Sequence, residues 1–408
     1  MGAVRVLVIG SGGREHALCR SLKLDPQVTD LHCAPGNPGI AEIAGLHDVD
    51  PLNPAQVTGL ATELGADLVV VGPEAPLVAG VADAVRAAGI PVFGPSKEAA
   101  QIEGSKTFAK DVMAAAGVPT ARAHTCTTPE EAERALAEFG APYVVKDDGL
   151  AAGKGVVVTD DLGTALAHAA SCRQVVIEEF LDGPEVSLFA LCDGVNAVAL
   201  QPAQDFKRVF DGDEGPNTGG MGAYTPLPWA PSDLTEQVMR EVVHPTLEEL
   251  VRRGTPFQGV LYVGLALTSK GPKVIEFNAR FGDPETEVLL DRLQTPLAGL
   301  LMECATGTLT TTPVFRPGSA VTVIVASEGY PDSPVKGDVI SGLQETDDAY
   351  VLHAGTSATD DGQIVSSGGR VLAVVGHGPD QQSARQAAYD LVGGIRLRGS
   401  HYRKDIAQ

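Results

Sequence analysis

The sequence lacks the features that mark several large classes of protein. Its longest apolar runs, such as residues 320–326, are far shorter than the roughly 20 residues that a membrane-spanning helix needs. Basic residues are scarce, because 30 lysines and arginines stand against 52 aspartates and glutamates, a formal net charge of -22. Attachment to nucleic acid or to an anionic membrane requires a basic face, so neither partner is expected. A local basic pocket for a small phosphorylated ligand remains compatible with this charge.

Closely spaced cysteine pairs are also missing. The six cysteines are scattered through the chain, at Cys19, Cys33, Cys126, Cys172, Cys192 and Cys304. This spacing is typical neither of a zinc site nor of the disulfide framework of a secreted domain. It predicts free thiols that pack in the core of a cytoplasmic protein.

The length of 408 residues predicts roughly two to four domains in one multidomain α/β protein. In the first 100 or so residues, short β-branched runs alternate with helical stretches such as 15–24 and 77–88, which predicts a Rossmann-like parallel sheet. Residues 123–187 have a strand–helix rhythm of their own, and glycine-rich loops separate the strands of 188–312. The last segment, 313–408, has an α+β pattern.

The first glycine turn runs from Gly10 through Gly12 and Gly13 to His16. A dinucleotide fingerprint would have a third glycine where Glu15 stands, so the interpretation as an NAD site is weakened. Two interpretations remain open: an anion site at a helix N-terminus, or a purely structural turn.

A second glycine-rich loop lies between two predicted strands and is flanked by Lys146 and Lys154. Glycine allows backbone amides to approach phosphate oxygens, and the lysines add positive charge. The loop is not a P-loop, because Gly155 follows Lys154 where a hydroxyl residue would be needed. An ordinary β-hairpin with a flexible tip is the alternative.

The segment 274–286 carries the strongest indication of a metal site. Alternation along a strand places Glu276, Asn278 and Arg280 on one face, with Ile275 and Phe277 facing the core. A carboxylate and an amide oxygen suit Mg²⁺ that is shared with phosphate, and a guanidinium can stabilise a phosphoryl group in transfer. A solvated strand face is the alternative.

The stretch from Asp205 through Lys207 and Arg208 to the glycine-rich turn 215–224 offers a further group of charges and backbone donors. Such a group can hold a zwitterion or a phosphate. Each of these segments alone is compatible with a surface loop, but four phosphate- or metal-friendly clusters in one acidic chain favour a nucleotide-dependent enzyme.

Together these segments resemble the glycinamide ribonucleotide synthetases (phosphoribosylamine–glycine ligases), ATP-grasp enzymes of purine biosynthesis. The resemblance covers essentially the whole chain, and its carriers are residues 10–16, 34–37, 71–77, 103–106, 148–155, 177–181, 215–224, 275–286, 353–356, 368–370 and 403–406. It implies a Rossmann-like domain over 1–104, an ATP-grasp core over 105–122 and 188–312, an inserted mobile lobe over 123–187, and a C-terminal domain over 313–408. It also implies that ATP phosphorylates the carboxylate of glycine and that 5-phosphoribosylamine attacks the glycyl phosphate.

The resemblance also assigns roles to individual residues. ATP is assigned to Lys106, Lys146, Gly149, Gly153, Lys154, Gly155, Glu178, Glu179, Phe180, Leu181 and Glu185, and Mg²⁺ or Mn²⁺ to Glu276 and Asn278. The substrates are assigned to Gly10, Gly12, Gly13, Glu74, Asp205, Lys207, Arg208, Asn217, Thr218, Gly219, Gly220, Met221, Gly222, Arg280, Asp283, Glu285 and Thr286. The catalytic residues are expected to be Arg280, Lys154, Asp205 and Lys207. The expected partners are small molecules, and the chain is expected to be a monomer or a weak homodimer.

The sequence departs from the family pattern at three places. Asp147 adds a carboxylate beside the glycine-rich loop, although alternation should point it away from Lys146. Phe206 stands where the family often has histidine, and the stretch between Ala169 and Val175 is shorter than usual. The rival interpretations are another ATP-grasp carboxylate–amine ligase, a nucleotide-dependent oxidoreductase and a non-catalytic nucleotide-binding scaffold.

Overall fold

A five-stranded parallel sheet forms the amino-terminal part of the molecule. The computed structural model describes residues 3–150 and 155–408. The first ten elements are β1 (Val4–Gly10), α1 (Gly13–Leu24), β2 (Val28–Pro35), α2 (Pro38–Ala41), β3 (Gly45–Leu46), α3 (Pro54–Leu64), β4 (Leu68–Val71), α4 (Glu74–Ala79), α5 (Val81–Ala87) and β5 (Val92–Phe93). The strand order is β3-β2-β1-β4-β5, with every pair parallel, which confirms the predicted α/β class. The single predicted helix 77–88 is wrong, because Gly80 has φ +93° and divides it into α4 and α5.

A small lobe with its own sheet and core follows two connecting helices, α6 (Gln101–Gly104) and α7 (Lys106–Ala116). Its elements are β6 (Ala123–Cys126), α8 (Pro129–Phe139), β7 (Tyr143–Asp147), β8 (Val156–Thr159), α9 (Leu162–Ser171) and β9 (Val175–Glu178). The strands pair antiparallel in the order β6-β9-β7-β8, so the loop between β7 and β8 is the connection of a hairpin. Lys154 and Gly153 of that loop lie outside the described residues.

A four-stranded antiparallel sheet forms the centre of the chain. The elements here are β10 (Glu185–Asp193), β11 (Ala197–Ala199), β12 (Gln204–Asp205), β13 (Arg208–Phe210), β14 (Glu214–Asn217), β15 (Gly222–Thr225), α10 (Leu234–Val238), α11 (His244–Arg252), β16 (Gln258–Thr268), β17 (Gly271–Asn278), α12 (Glu285–Arg292) and α13 (Leu297–Thr306). The order is β11-β10-β16-β17, and β13 and β14 form a separate hairpin. A π-helical turn, Met239–Val243, joins α10 to α11.

Most strands of the C-terminal segment join a sheet that begins in the central segment. The C-terminal elements are β18 (Ser319–Ala326), β19 (Ala349–His353), β20 (Thr356–Ala358), β21 (Ile364–Ser366), β22 (Arg370–Gly378) and α14 (Gln381–Gly394). β20 and β21 pair with each other in a separate two-stranded sheet. The third large sheet has the order β12-β15-β18-β22-β19, so two strands of the central segment are paired with three C-terminal strands. The two segments therefore share backbone hydrogen bonds.

A bulge in β17 interrupts the predicted alternation of side chains just before Glu276 and Asn278. Gly264 pairs with Glu276 and Leu265 pairs with Val274, which leaves Ile275 without a partner across the ladder. Val274 and Phe277 are buried in the core, whereas Ile275 is half-buried and lines the cavity described below. The expectation that Ile275 faces the core is therefore wrong, because a bulge shifts the side-chain period by one residue.

All six cysteines are free, and only Cys172 is not fully buried. No helix among the described residues combines the length and the apolar composition that crossing a bilayer requires.

Candidate active site

A cavity of about 800 Å³ brings together segments that are far apart in the sequence. Its wall contains most of the residues expected from the sequence: Glu74, Lys106, Lys146, Gly149, Gly155, Glu178, Glu179, Phe180, Leu181, Glu185, Asp205, Lys207, Arg208, Asn217, Thr218, Gly219, Glu276, Asn278, Arg280, Asp283 and Glu285. The loop after β4, the small lobe and the central segment therefore all contribute side chains to one site.

Among the residues that the structure describes, seven expected ones are not on the wall of this cavity: Gly10, Gly12, Gly13, Gly220, Met221, Gly222 and Thr286. Met221 is buried against Val209 and Ala326 in a small apolar cluster. The hydroxyl of Thr286 donates to the carbonyl of Gly282 at 2.6 Å, within the first turn of α12. These two side chains support the surrounding loops and do not face the cavity.

The first glycine turn encloses a carboxylate of the protein itself. The Gly12 N–H donates to Oε2 of Glu15 at 2.6 Å, and Nε of Arg14 donates to Oε1 at 2.6 Å. A Cβ at Gly10 or Gly72 would lie 2.5 Å or 2.1 Å from the Glu15 side chain, so glycine is needed at both positions. Of the two interpretations left open by the sequence, the structural turn accounts for the Gly12 N–H.

A cluster of lysines surrounds Glu178 on one side of the cavity. Nζ of Lys146 lies 2.8 Å from one carboxylate oxygen of Glu178, and Nζ of Lys110 lies 2.9 Å from the other. Nζ of Lys106 donates to the carbonyl of Gly149 at 2.9 Å. Burial lowers the pKa of Lys106 and Lys110, and the nearby carboxylates partly offset this effect. Lys110 was missed in the sequence, although it follows Lys106 by four residues and therefore shares its helix face.

Asp148 holds the lobe against the N-terminus of α7. Its carboxylate accepts hydrogen bonds from the N–H and the hydroxyl of Thr107, at 3.0 Å and 2.8 Å, and from the Gln174 amide at 2.6 Å. This connection keeps Lys106 and Lys146 on the same wall. Asp147 is not part of that wall, in agreement with the expected alternation.

Glu276 and Asn278 offer two hard oxygen donors to the cavity. Glu276 accepts no hydrogen bond from any described residue, and although burial raises its pKa, Lys207, Lys146 and Lys106 lower it further, so the carboxylate is ionised. The described residues contain no cluster of three or more His, Cys, Asp or Glu that would hold a metal ion alone. The pair therefore fits a hard cation that takes its other ligands from water and nucleotide oxygens.

Arg280 is fixed between two carboxylates. Its Nε lies 3.1 Å from Glu74, and its Nη2 lies 3.1 Å from Glu103 and 3.4 Å from the amide oxygen of Asn278. Glu103 also accepts a hydrogen bond from the Ala279 N–H at 2.7 Å. Burial raises the pKa of Glu103, and Arg280 partly offsets this. Glu103 was missed as a site residue because only the fold brings it to Arg280.

The carboxyl group of Asp205 has no hydrogen-bond partner among the described residues, and other acids lie near it. Burial raises its pKa to about 7; Lys207 lowers it, whereas Glu285, Glu185 and Glu276 raise it. Nζ of Lys207 lies 2.7 Å from Oε2 of Glu185. The carboxyl group of Asp205 can therefore gain or lose a proton near neutral pH.

Two further polar groups of this region were missed in the sequence. Ser187 contacts both the hydroxyl of Tyr262, at 2.8 Å, and Glu285, at 3.0 Å. Tyr262 comes from β16, in which no polar motif is visible.

Phe206 packs between Tyr224 and Arg403, so its ring supports the segment that carries Asp205 and Lys207.

The chain matches three family models over most of its length. These are the phosphoribosylglycinamide synthetase N domain over residues 4–103, the ATP-grasp (A) domain over 104–286 and the C domain over 320–408. The phosphoribosylamine–glycine ligase of Streptomyces coelicolor is 67% identical over 99% of both chains, and that of Mycobacterium tuberculosis is 57% identical over 99% of this chain and 97% of its own.

Solved structures agree with the sequence comparisons. The phosphoribosylamine–glycine ligase of Thermotoga maritima superimposes with a TM-score of 0.87 at 36% identity, over 98% of this chain and 100% of its own. The biotin carboxylase domain of the Hydrogenobacter thermophilus 2-oxoglutarate carboxylase, in complex with MgADP, shares the fold with a TM-score of 0.76 at 18% identity, over 98% of this chain and 92% of its own. The chain belongs to the phosphoribosylglycinamide synthetase family.

Proposed function

We propose that this protein is an ATP-dependent ligase that joins glycine to 5-phosphoribosylamine and releases ADP and phosphate. The observation that carries the proposal is the single cavity in which the lysines, the Glu276–Asn278 pair, Arg280 and Asp205 all meet. The family membership gives the substrates. A non-catalytic scaffold would not need a half-buried guanidinium and an acid without a hydrogen-bond partner beside a phosphate-binding wall.

The reaction proceeds in two steps. A carboxylate oxygen of glycine attacks the γ-phosphorus of ATP, and ADP leaves, so that a carboxylate becomes an acyl phosphate with a good leaving group. The amine nitrogen of phosphoribosylamine then attacks the acyl carbon, and inorganic phosphate leaves as the amide bond forms. Lys106 and Lys146 hold the phosphates of ATP, and Arg280 stabilises the charge that develops on the phosphoryl group.

Asp205 accepts the proton that the attacking amine loses. Its carboxylate is unpartnered and its pKa of about 7 suits proton transfer at neutral pH. Lys207 lies beside it and compensates charge on the acyl phosphate. Lys154 and Gly153 keep the role that the sequence assigns to them at the ATP phosphates, although both lie outside the described residues.

Glu276 and Asn278 would hold Mg²⁺, or Mn²⁺ in its place, which would neutralise charge between the nucleotide phosphates. The nucleotide base would contact residues 178–181, where Glu178 is already engaged by two lysines and the backbone provides the remaining contacts. We further propose the domain division 1–104, 105–122 with 188–312, 123–187 and 313–408, and a cytoplasmic monomer.

The test of this function supplies Mg²⁺, ATP, glycine and freshly generated phosphoribosylamine to the purified protein. We expect ADP and the glycinamide product to form in equal amounts, and only when glycine and phosphoribosylamine are both present. Omission of glycine and its replacement by alanine are the controls. A folded protein that forms no amide under these conditions would contradict the proposal.

A further inference from the structure

Arg370 brings a positive charge from the C-terminal segment into the cavity. It is the first residue of β22, and its side chain lines the same wall as Thr218, Gly219 and Asp283. Nη1 donates to the carbonyls of Gly219 and Asp283, at 2.7 Å and 2.8 Å, with a longer contact of 3.4 Å to Gly220. The same nitrogen lies 3.1 Å from Oδ1 of Asp283. One corner of the guanidinium is therefore fixed by backbone and carboxylate oxygens.

The other edge of the guanidinium is unused. Nε and Nη2 of Arg370 make no hydrogen bond with any described residue, while the side chain keeps 21% of its surface accessible. A Cβ at Gly219 would lie 2.9–3.1 Å from Cζ, Nη2 and Nε, so glycine at this position gives the guanidinium plane its room. The hydroxyl of Tyr330 accepts the N–H of Gly219 at 3.1 Å and holds the turn in place. A fixed guanidinium with two adjacent free donors is the geometry that binds an anion through two parallel hydrogen bonds.

Asp283 does not fully neutralise Arg370, because the negative charge of Asp283 is shared between Arg370 and the N-terminus of α1. Its Oδ2 lies 3.5 Å from the N–H of Arg14, in the first turn of the 12-residue helix α1. Although burial raises the pKa of Asp283, Arg370 and then Arg14 lower it further. The positive end of α1 and Arg370 thus share one carboxylate. Burial, together with Asp283, raises the pKa of Glu287 well above its usual range, which favours the neutral form of this neighbour and weakens its repulsion of an anion.

The chemistry of the proposed reaction indicates which anion would bind to the free edge of Arg370. Three anionic groups must be held: the phosphates of ATP, the carboxylate of glycine and the phosphate of the phosphoribosyl substrate. The first two must meet beside Glu276 and Arg280, and Lys106 and Lys146 serve the ATP phosphates. Arg370 lies on the part of the wall formed by the turn at Gly219 and by Asp283, and the ribosyl phosphate is the group that takes no part in bond formation.

We infer that Arg370 binds the phosphate of the phosphoribosyl substrate through Nε and Nη2, so that the C-terminal segment supplies a substrate ligand. This inference rests on the proposed function, because that function provides the substrate. It also explains why an arginine from β22 is held by three carbonyl oxygens instead of being left in solvent. The turn at Gly219 then contributes by fixing the guanidinium.

The test measures binding of ribose 5-phosphate by calorimetry, with Mg²⁺ and a non-hydrolysable ATP analogue present, for the wild type, Arg370→Ala and Arg370→Lys. We expect Arg370→Ala to weaken ribose 5-phosphate at least about 10-fold, which corresponds to about 1.4 kcal/mol. Arg370→Lys retains the charge near Asp283 but loses the paired donors, so an intermediate loss is expected. Affinity for the ATP analogue should stay within about twofold of the wild type, which also reports that both variants are folded.

Two comparisons distinguish the loss of a phosphate contact from a general loss of ligand affinity. Ribose without phosphate should bind the wild type and Arg370→Ala equally, and the KM for glycine should not change if the carboxylate of glycine is held elsewhere. Arg398→Ala is the matched control, because Arg398 belongs to the same segment, pairs with Asp338 and is exposed. Wild-type protein that does not bind ribose 5-phosphate, an unchanged affinity in Arg370→Ala, or a loss confined to the KM of glycine would overturn the inference. Because this assay needs no turnover, its failure leaves the ligase assay intact, whereas normal ribose 5-phosphate binding without any product would count against the ligase itself.

Discussion

The ionisation of Asp205 should be visible in the pH dependence of the reaction. In the proposed reaction its ionised form accepts the proton of the amine, and its folded-state pKa is raised to about 7, so the active form would be lost as the pH falls through that value. We expect kcat/KM for phosphoribosylamine to fall on the acid side, and Asp205→Asn to remove that limb while lowering kcat by about 10²–10⁴-fold. A cation bound at Glu276 would remove one of the charges that raise this pKa, so saturation with MgATP should move the limb to lower pH. An acid limb that persists unchanged in Asp205→Asn would assign the titration to another group.

Arg280 places a positive charge where the proposed phosphoryl transfer would develop negative charge. If it stabilises charge that develops only during phosphoryl transfer, Arg280→Ala should lower kcat by about 10²–10³-fold and leave the Kd of MgATP nearly unchanged. The substitution also removes the partner of Glu74 and Glu103, so a loss of stability is expected as well. Arg280→Lys retains one ion pair and separates the two effects: it should recover the Tm but not kcat. Equal losses in kcat and in ATP affinity would identify Arg280 as a ligand of the ground state.

A buried histidine joins α1 to β19. Nδ1 of His16 accepts the N–H of His353 at 2.8 Å, and Nδ2 of Asn37 donates to the carbonyls of Ser11 and His353, both at 2.9 Å. Burial, with a smaller contribution from His353, lowers the pKa of His16 to about 3. His16 is therefore neutral in the folded protein but protonated below about pH 6.5 in the unfolded chain.

The sign of the resulting pH effect follows from this difference. The unfolded state binds the extra proton, so the free energy of unfolding should fall by about 1.4 kcal/mol per pH unit from this group as the pH decreases from 6 towards 3. His16→Gln retains a hydrogen-bond acceptor but does not titrate. In urea unfolding at pH 7 and pH 5, the variant should therefore lose less stability between the two pH values than the wild type. Parallel losses would show that His16 is protonated in the folded state.

Elements with a strong local signal could be predicted from the sequence, and contacts between distant segments could not. The alternating strands, the glycine loops and the row of Glu276, Asn278 and Arg280 follow from periodicity and residue chemistry. Ile275 was misplaced because a bulge depends on pairing with β16, which is not a local property. Glu15 filling the first glycine turn and Glu103 reaching Arg280 were also invisible, because both depend on tertiary contacts.

The C-terminal segment is joined to the candidate site in two ways. Its strands β18, β22 and β19 continue the sheet that begins with β12 and β15. Arg403, which is only 1% exposed, also contacts Asp405, Asp213 and the carbonyl of Arg208, and so holds the β13–β14 hairpin. The lobe, in contrast, has a separate sheet and a separate small core. The C-terminal segment should therefore unfold together with the centre of the molecule, and the lobe should not.

The one tryptophan of the chain allows this coupling to be measured. Trp229 donates from Nε1 to the hydroxyl of Tyr224 at 2.7 Å, so its fluorescence reports on β15, the strand next to β18. Val374→Ala in β22 removes two buried methyl groups and should lower the free energy of unfolding by about 2 kcal/mol, because it leaves a cavity in the shared sheet. We expect the urea midpoint followed by the fluorescence of Trp229 to fall by an amount that corresponds to this whole loss of free energy.

Val145→Ala in β7 is the matched control, because both valines are fully buried. It should shift the transition of the lobe and leave the Trp229 midpoint in place. If Val374→Ala leaves the Trp229 transition unchanged, the C-terminal segment folds independently of the candidate site, and its arginines would not be rigidly coupled to the loops that line the cavity.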